Sequence, residues 1–508
     1  MRVMKHYVLS DEKRYWEGTV MAMLMMKRKH LFANYGSSVF YDEMFDQHGK
    51  VRAPYGTMMK ILARMGIDDL NKRHEAMQSE MVTQGITFAL YSDASEASSL
   101  ERTIPFDMIP RMITAEEWAL LERGLKQRVE ALNRFIRDIY HEQNILKDGI
   151  VPRAMIVHNP YYLPAMAGLK VPGDTYIPLS GIDIIRSETG AFYVLEDNLR
   201  TPSGLSYVYQ NRAMMKNLFP ELFFEHRVRD IGEGLHALLR SLRRLAPNGK
   251  PNPLVALLTP GIYNSAYYDH TFLAQEMGIE LVEGRDLTVV DKKVYMKSLQ
   301  GLRQVDVIYR RIDDEFLDPL AFKEDSMLGV PGLMEAYCAG NVALANAPGT
   351  GVADDKAIYA FVPDMIRYYL QEEPILNNVP TYILSRPHER EYVLGKLPEM
   401  VVKERSLSGG YGMLIGPSAS EEELELFADK IRQSPERFIA QPTMKLSCSP
   451  SLGDSEVCAR HIDLRAFVFK GEDIHVVTGG LTRVALQEGS LVVNSSQGGG
   501  TKDTWVLI

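Results

Sequence analysis

At 508 residues the chain exceeds the size at which one hydrophobic core stops growing, so about two to four domains are expected. Its 45% hydrophobic and 24% charged residues are ordinary for a globular protein and argue against overall disorder. The formal charge of -9 argues against non-specific nucleic-acid binding, which needs a basic footprint, although local lysines, arginines or a metal let an acidic protein hold phosphates.

Val20 to Met26 is an apolar run followed by Lys27-Arg28-Lys29. It follows acidic residues and is too short to span a bilayer, so neither a secretory nor a membrane segment is expected. Cys338, Cys448 and Cys458 form an odd, sparse set that fits a reducing cytoplasm. With no CxxC pair, Cys448, Cys458 and His461 read as incidental side chains rather than metal ligands. Residues 1–100 are expected to form a helical lead region, and residues 101–245 a second unit. In the latter the clearest helix begins at Thr114, where Glu117 three residues on completes a capping-box pattern. Behind it Trp118, Leu121, Leu125, Val129, Leu132, Phe135 and Ile136 fall at helical spacing and predict a buried stripe.

Gly181 to Gly204, GIDIIRSETGAFYVLEDNLRTPSG, reads as two strands around a Thr189-Gly190 turn. A two-residue loop there pairs Ser187 with Phe192 and, further down, Asp183 with Glu196. Directly opposed Cβ atoms lie about 5 Å apart, and like charges so placed repel. Asn198 joins Glu196 on that face, while Asp197 points away. Two readings stand: a site for a hard cation such as Mg²⁺, which takes oxygen ligands and brings phosphate with it, or a solvated hairpin balanced by Arg186 and Arg200.

Ala246 to Pro251 is a run of turn residues and a domain boundary. Over 250–345 the pattern becomes strand at Leu254–Leu258, helix at Tyr267–Met277, strands at Ile279–Val282 and Val305–Tyr309, which predicts a small parallel α/β domain. Ligands in such sheets bind beyond the carboxyl ends of strands, where Arg310, Arg311 and Asp313 are expected; the arginines read as substrate contacts or as a solvated turn.

Residues 346–508 form the last unit, which from about Tyr382 is strand-rich and increasingly glycine-rich. Lys403 ends a strand and precedes Ser408-Gly409-Gly410-Tyr411-Gly412, a loop whose backbone N–H groups suit phosphates while the lysine neutralises them; a plain hairpin loop is the alternative. Asn494-Ser495-Ser496-Gln497-Gly498-Gly499-Gly500, with Arg483 ahead and Lys502 behind, suits close approach to anionic oxygens. Asp463 and Arg465 share a strand face, as a phosphate-orienting pair or a surface ion pair. No Walker A pattern, HExxH or GxSxG occurs.

Together, Lys403 with its SGGYG loop, Gln441 after a strand, Asp463-Leu464-Arg465, NSSQGGG and Glu196-Asp197-Asn198 resemble the ATP-grasp superfamily, with a layout similar to bacterial glutathione synthetase. Asp354-Asp355-Lys356 and Val401-Val402-Lys403 match that family's two lysines, and Gly181 to Ile185, Glu196 to Asn198 and Thr201 to Gly204 match its metal strand and substrate turn. The order differs: the metal strand precedes the lid instead of closing the chain. The chain therefore resembles the circularly permuted ATP-grasp proteins often labelled glutathionylspermidine-synthase-like, and Tyr41 to Gly56 and Gln84 to Phe88 strengthen the match. Permutation is permissible because domain termini commonly lie at the surface and close together.

The resemblance implies an α/β, permuted ATP-grasp fold with an inserted parallel α/β domain, and an ATP- and Mg²⁺-dependent carboxylate–amine ligase working through an acyl phosphate on small-molecule or peptide substrates. Asp183, Glu196 and Asn198 are then expected on magnesium, and Lys356 and Lys403 on phosphates under a lid of Ser408 to Gly412. Asp463 and Arg465 are expected at the nucleotide, Gln441 at adenine, and Arg483 and Asn494 at the transferring phosphoryl group. Arg200, Ser203, Arg310 and Arg311 are expected at the acid substrate. An ATP-binding scaffold without turnover, or a phosphotransferase, remains as the alternative.

Overall fold

The computed structural model describes residues 31–32, 35–36, 40–90, 100–406, 412–453, 456–487, 489–491, 493 and 499–508. The Val20–Met26 run lies outside them. Among the described residues no helix is long and apolar enough to cross a membrane.

A nine-stranded mixed sheet carries the molecule. Its main path runs Asn377–Asn378, Phe192–Asn198, Leu179–Arg186, Val457–Lys470, Leu481–Val484, Gly500–Val506 and Phe106–Ile113. The helix Ala115–Tyr140 covers one face of this sheet. It starts where the sequence predicts, with Thr114 and Glu117 forming both capping-box hydrogen bonds, and all seven residues of the predicted stripe are buried. They pack with Ile182, Ile184, Leu464, Ala466 and Val468 from two adjacent strands. Arg128 projects from the same helix and donates twice to Asp197, at 2.6 Å each. Asp197 thus points away from Glu196, as strand alternation requires.

The hairpin reaches the predicted Asp183–Glu196 pairing by a different route. Ser187 N–H bonds to the Ala191 carbonyl, so the loop holds three residues and Arg186, not Ser187, faces Phe192. A bulge between the Ile184–Val194 and Asp183–Glu196 pairs takes up Leu195 and cancels the offset. Arg186 and Arg200 do not balance the hairpin acids: Arg186 pairs with Glu117, and Arg200 with Asp313 and Asp354.

The predicted α/β unit is present as four parallel strands in the order Ala343–Ala345, Val307–Arg310, Val255–Leu258 and Glu280–Val282, with the helix Tyr267–Met277 as expected. A three-stranded antiparallel sheet over residues 287–304 is an addition that alternation alone did not reveal. Asp269 braces this unit on the hairpin's exit, accepting from the N–H groups of Gly204 and Ser206 at the start of the helix Leu205–Leu218.

A second, smaller antiparallel sheet, ordered Tyr382–Ile383, Phe438–Pro442, Met400–Glu404 and Leu414–Ile415, carries Lys403. The helix Glu421–Gln433 packs on it, begun by a Ser420/Glu423 capping box. Leu384, Val393, Met400, Val402, Ile431, Phe438 and Ala440 give it a core of its own.

Candidate active site

Cross-strand register gathers the charges. Glu196 lies opposite Asp183, Asp183 opposite Arg465, and, one step along, Asp463 opposite Arg483. Arg465 donates to both Asp183 oxygens, at 2.6 and 2.8 Å, and Arg483 adds a bond to Asp183 at 2.8 Å. Arg483 also donates to Asp463 through Nε at 2.8 Å and again through Nη2. Burial alone would raise the Asp183 carboxyl, but the guanidinium groups of Arg465 and Arg483 outweigh it and hold it well below the usual range. Asp463 goes the other way, raised by burial that Arg483 only partly offsets. Glu196 lies within hydrogen-bonding reach of Asp183 and is only partly buried, so it faces the open side of the cluster.

Lys403 meets this cluster from the smaller sheet. Its ammonium is buried, which lowers its pKa; Glu196 and Asp183 oppose that and Lys356 adds to it. The charges at positions 183, 196, 356, 403 and 483 therefore lie within electrostatic reach of one another, where the smaller sheet meets the larger. Lys403 Nζ donates to Gln441 Oε1 at 2.9 Å, and Gln441 Nε2 donates to Thr381 at 3.0 Å. Lys356 opens the short helix Lys356–Tyr359, capped by Asp355, whose carboxylate also receives Arg405 at 2.8 and 3.0 Å.

Several expectations change. Both Asp183 oxygens are occupied by guanidinium groups, so Asp183 serves as their counter-ion and not as an open cation ligand. Asp463 and Arg465 share a face but do not pair with each other; each holds a partner on a neighbouring strand. Gln441 holds Lys403 with its carbonyl and Thr381 with its amide, which leaves its side chain committed to the lysine and not to a base. Arg310 is 0% exposed, with its nitrogens bound to the carbonyls of Asn346, Ile312 and Ala347 and to Asp314, so it is a structural residue out of substrate reach. Arg311 is likewise buried, donating to the Pro202 carbonyl and to Asp269. The Ser203 carbonyl accepts from Arg465 at 3.4 Å, which ties the turn after the hairpin to the charge cluster.

Arg200 stays at the cleft margin, with its guanidinium 4.4 Å from the Tyr161 ring centroid. Tyr161 was not read from the sequence; its hydroxyl donates to the Ser406 carbonyl. Nothing in Asn159-Pro160-Tyr161-Tyr162 marks it apart from other aromatic pairs. Ser408, Gly409, Gly410, Tyr411 and Asn494 lie outside the described residues, and Gly412 is an exposed turn residue with φ of 65°.

Among the described residues no group of three His, Cys, Asp or Glu side chains is placed to hold a metal. Cys448 and His461 do approach, at 3.3 Å, but His461 Nδ1 also lies 3.1 Å from the Leu446 carbonyl, and burial pushes the thiol up to about 12. The donor set that fits magnesium is Glu196 with Asn198, whose amide nitrogen donates to Gly181 at 3.2 Å and leaves its oxygen available; such a cation is completed by water and phosphate oxygens.

Two sheets closing on a lysine–carboxylate cleft define an ATP-grasp architecture. A glutathione-synthetase-like effector (GSS30) from Globodera pallida, in apo form, has the same overall fold, with a TM-score of 0.55 at 9% identity over 87% of this chain and 98% of that one. The chain belongs to the circularly permuted ATP-grasp type 2 family, whose profile matches residues 110–485. It is 51% identical over 475 residues to protein sll0335 of Synechocystis, covering 93% of this chain and 98% of that one. It is 50% identical over 484 residues to Rv2411c of Mycobacterium tuberculosis, covering 94% and 87%. A Frankia alni protein with the provisional name glutamate–cysteine ligase 2-3 is 42% identical over 469 residues, 92% of this chain but 54% of that one.

Proposed function

We propose that the protein is an ATP-dependent carboxylate–amine ligase. The observation that carries the reading is the meeting of Lys403 and Lys356 with Glu196 and the Asp183–Arg483 pair. Lysines neutralise phosphate charge, and a carboxylate–amide pair beside them fits the cation that accompanies ATP. Magnesium, held by Glu196 and Asn198, would supply charge neutralisation at the phosphates. Lys403, pre-set by Gln441, and Lys356 would bind those phosphates. Arg483, fixed by Asp463 and Asp183, would stabilise the transferring group. In that reaction a substrate carboxylate oxygen attacks the γ-phosphorus and the bond to ADP breaks. An amine nitrogen then attacks the acyl carbon, inorganic phosphate leaves, and the amine gives up a proton. Arg200 at the cleft margin is the candidate contact for the acid.

The glutamate–cysteine ligase name of the Frankia protein is compatible with this class, although almost half of that protein has no counterpart in this chain. It points to amino-acid substrates before polyamines, and so away from a glutathionylspermidine-type reaction. The test is ADP release across a matrix of amino acids, short peptides and polyamines, with Glu196→Gln as control. ADP formation dependent on both an acid and an amine supports the ligase. One observation favours a second reading: with Asp183 taken by two arginines the cation set is sparse, as in an ATP-binding scaffold. Tight MgATP binding with no ADP from any acid–amine pair would select it. ADP formed with a stable phosphorylated product and no need for an amine would mark a phosphotransferase.

A further inference from the structure

Residues 41–55 precede the cleft strands in sequence and yet fasten onto them. Glu43 is 3% exposed and accepts from Arg111 Nε at 2.8 Å, Arg111 Nη2 at 2.6 Å and Ser447 Oγ at 2.8 Å. Arg111 Nη1 then donates to the backbone carbonyl of Asp463 at 3.3 Å. Asp463 is the residue whose carboxylate grips Arg483. Beside Glu43, Tyr41 lies between the guanidinium groups of Arg52 and Arg186, 4.4 and 4.5 Å from its ring centroid. It also covers Gly190 in the hairpin loop, where an added Cβ would fall 2.7 Å from the ring. Backbone bonds from Glu43 N–H to Cys448 and from Cys448 N–H to Tyr41, at 2.9 and 2.8 Å, hold the segment in place.

A buried carboxylate–guanidinium pair is a weak source of net stability, because desolvation offsets its attraction. It does supply direction: two parallel hydrogen bonds fix the plane of the Arg111 guanidinium and aim its third nitrogen. We propose that Glu43 is a positioning residue for phosphoryl transfer, acting through Arg111 on the Asp463 backbone and so on the orientation of Arg483. The proposal rests on the ligase reading. It makes residues 41–55 a working part of the catalytic scaffold, joined to the cleft by a chain of contacts from Glu43 through Arg111 and Asp463 to Arg483.

Glu43→Gln alone strands the Arg111 charge in the interior, so the informative protein is Glu43→Gln/Arg111→Gln, which removes the pair together. With the acid and amine identified by the substrate matrix, its ADP-forming kcat is expected to fall at least about ten-fold while KM for ATP moves less than about two-fold. Glu43→Asp, which keeps the charge, is expected to lie in between. A double variant with wild-type melting and wild-type turnover overturns the proposal; so does a kcat loss matched by an equal loss of ATP binding. If the wild-type protein forms no ADP, the ligase reading fails on its own, and the positional claim is decided by hydrogen exchange. Amides of 457–470 and 481–484 must then exchange faster in the double variant while those of 307–310 do not, and unchanged rates overturn it.

Discussion

Asp183 and Glu196 face each other, yet the structure gives them opposite duties, and substitution separates these. Asp183 has 1% side-chain exposure and takes three charge-assisted hydrogen bonds from Arg465 and Arg483. Asp183 and Asp463 are the hydrogen-bonded counter-ions of those two arginines, with Glu196 acting on Arg483 from the open side, so Asp183→Asn leaves the largely buried Arg465 without its paired carboxylate. Breaking such a pair costs about 3–5 kcal/mol, which at about 2.1 cal/mol/K of unfolding entropy per residue lowers the melting temperature of a 508-residue chain by roughly 3–5 °C. The carboxyl is held low, so its contribution is present above the unfolded-chain value near pH ~4 and is lost as pH falls through the folded value. Asp183→Asn should therefore flatten the acid side of the stability curve as well as lower its plateau. Glu196→Gln places an amide against the Asp183 carboxylate where two acids met, and should melt at or above wild type in magnesium-free buffer. Thermal melts followed by circular dichroism from about pH 2 to about pH 8, which run below the ordinary carboxyl value of about 4 on the acid side, decide this. An Asp183→Asn protein that melts with the wild type, or a Glu196→Gln protein that loses as much stability as Asp183→Asn, refutes the assignment.

Gln441→Leu removes the acceptor on Lys403, and a bond to a charged group is worth about 1.5–3 kcal/mol, so MgATP binding by calorimetry should weaken about ten-fold or more. An affinity within two-fold of wild type (about 0.4 kcal/mol) would remove Gln441 from the site. Because burial lowers the Lys403 pKa from 10.5, nucleotide affinity should fall as pH rises at a lower pH than an ordinary lysine would impose. Magnesium-free ATP titrations should show that fall earlier still in Glu196→Gln, which no longer supports the ammonium. Arg310→Lys keeps a positive charge beside Asp314 but gives up bonds to backbone carbonyls, at a cost of about 1–3 kcal/mol in a melt with KM for the acid unchanged. A raised KM at wild-type stability would return Arg310 to the substrate site.

Local signals read correctly because their physics is local. Thr114 and Glu117 satisfy helix-end donors within one turn, and the strand–helix spacing of 254–282 needs only hydrophobic periodicity. The strand Phe106–Ile113 escaped because Asp107, Pro110 and Arg111 break up its apolar residues; its place at the sheet edge is what tolerates the proline. In the hairpin the Asp183–Glu196 pair was legible, whereas the three-residue loop and the Leu195 bulge that jointly produce it were not. The arginines on Asp183 come from 282 and 300 positions away, a distance over which no periodicity carries information. For the same reason Arg310 and Arg311 read as a ligand pair: their acceptors are the carbonyls of Asn346, Ala347 and Pro202, visible only after folding.

The strand Val457–Lys470 lies between the hairpin strand Leu179–Arg186 and the strand Leu481–Val484, and it brings both Asp463 and Arg465. On the ribosome, the hairpin emerges long before this central strand exists, and Asp183 must wait in water for its arginines. The large sheet can then close only around a late-arriving middle strand, a non-local step that slows folding and leaves a hydrogen-bonding edge exposed until it is complete. Circular permutation thus ties the assembly of the charge cluster to the end of synthesis: a nascent chain pairs Asp183 with its arginines in the same step that seals its sheet.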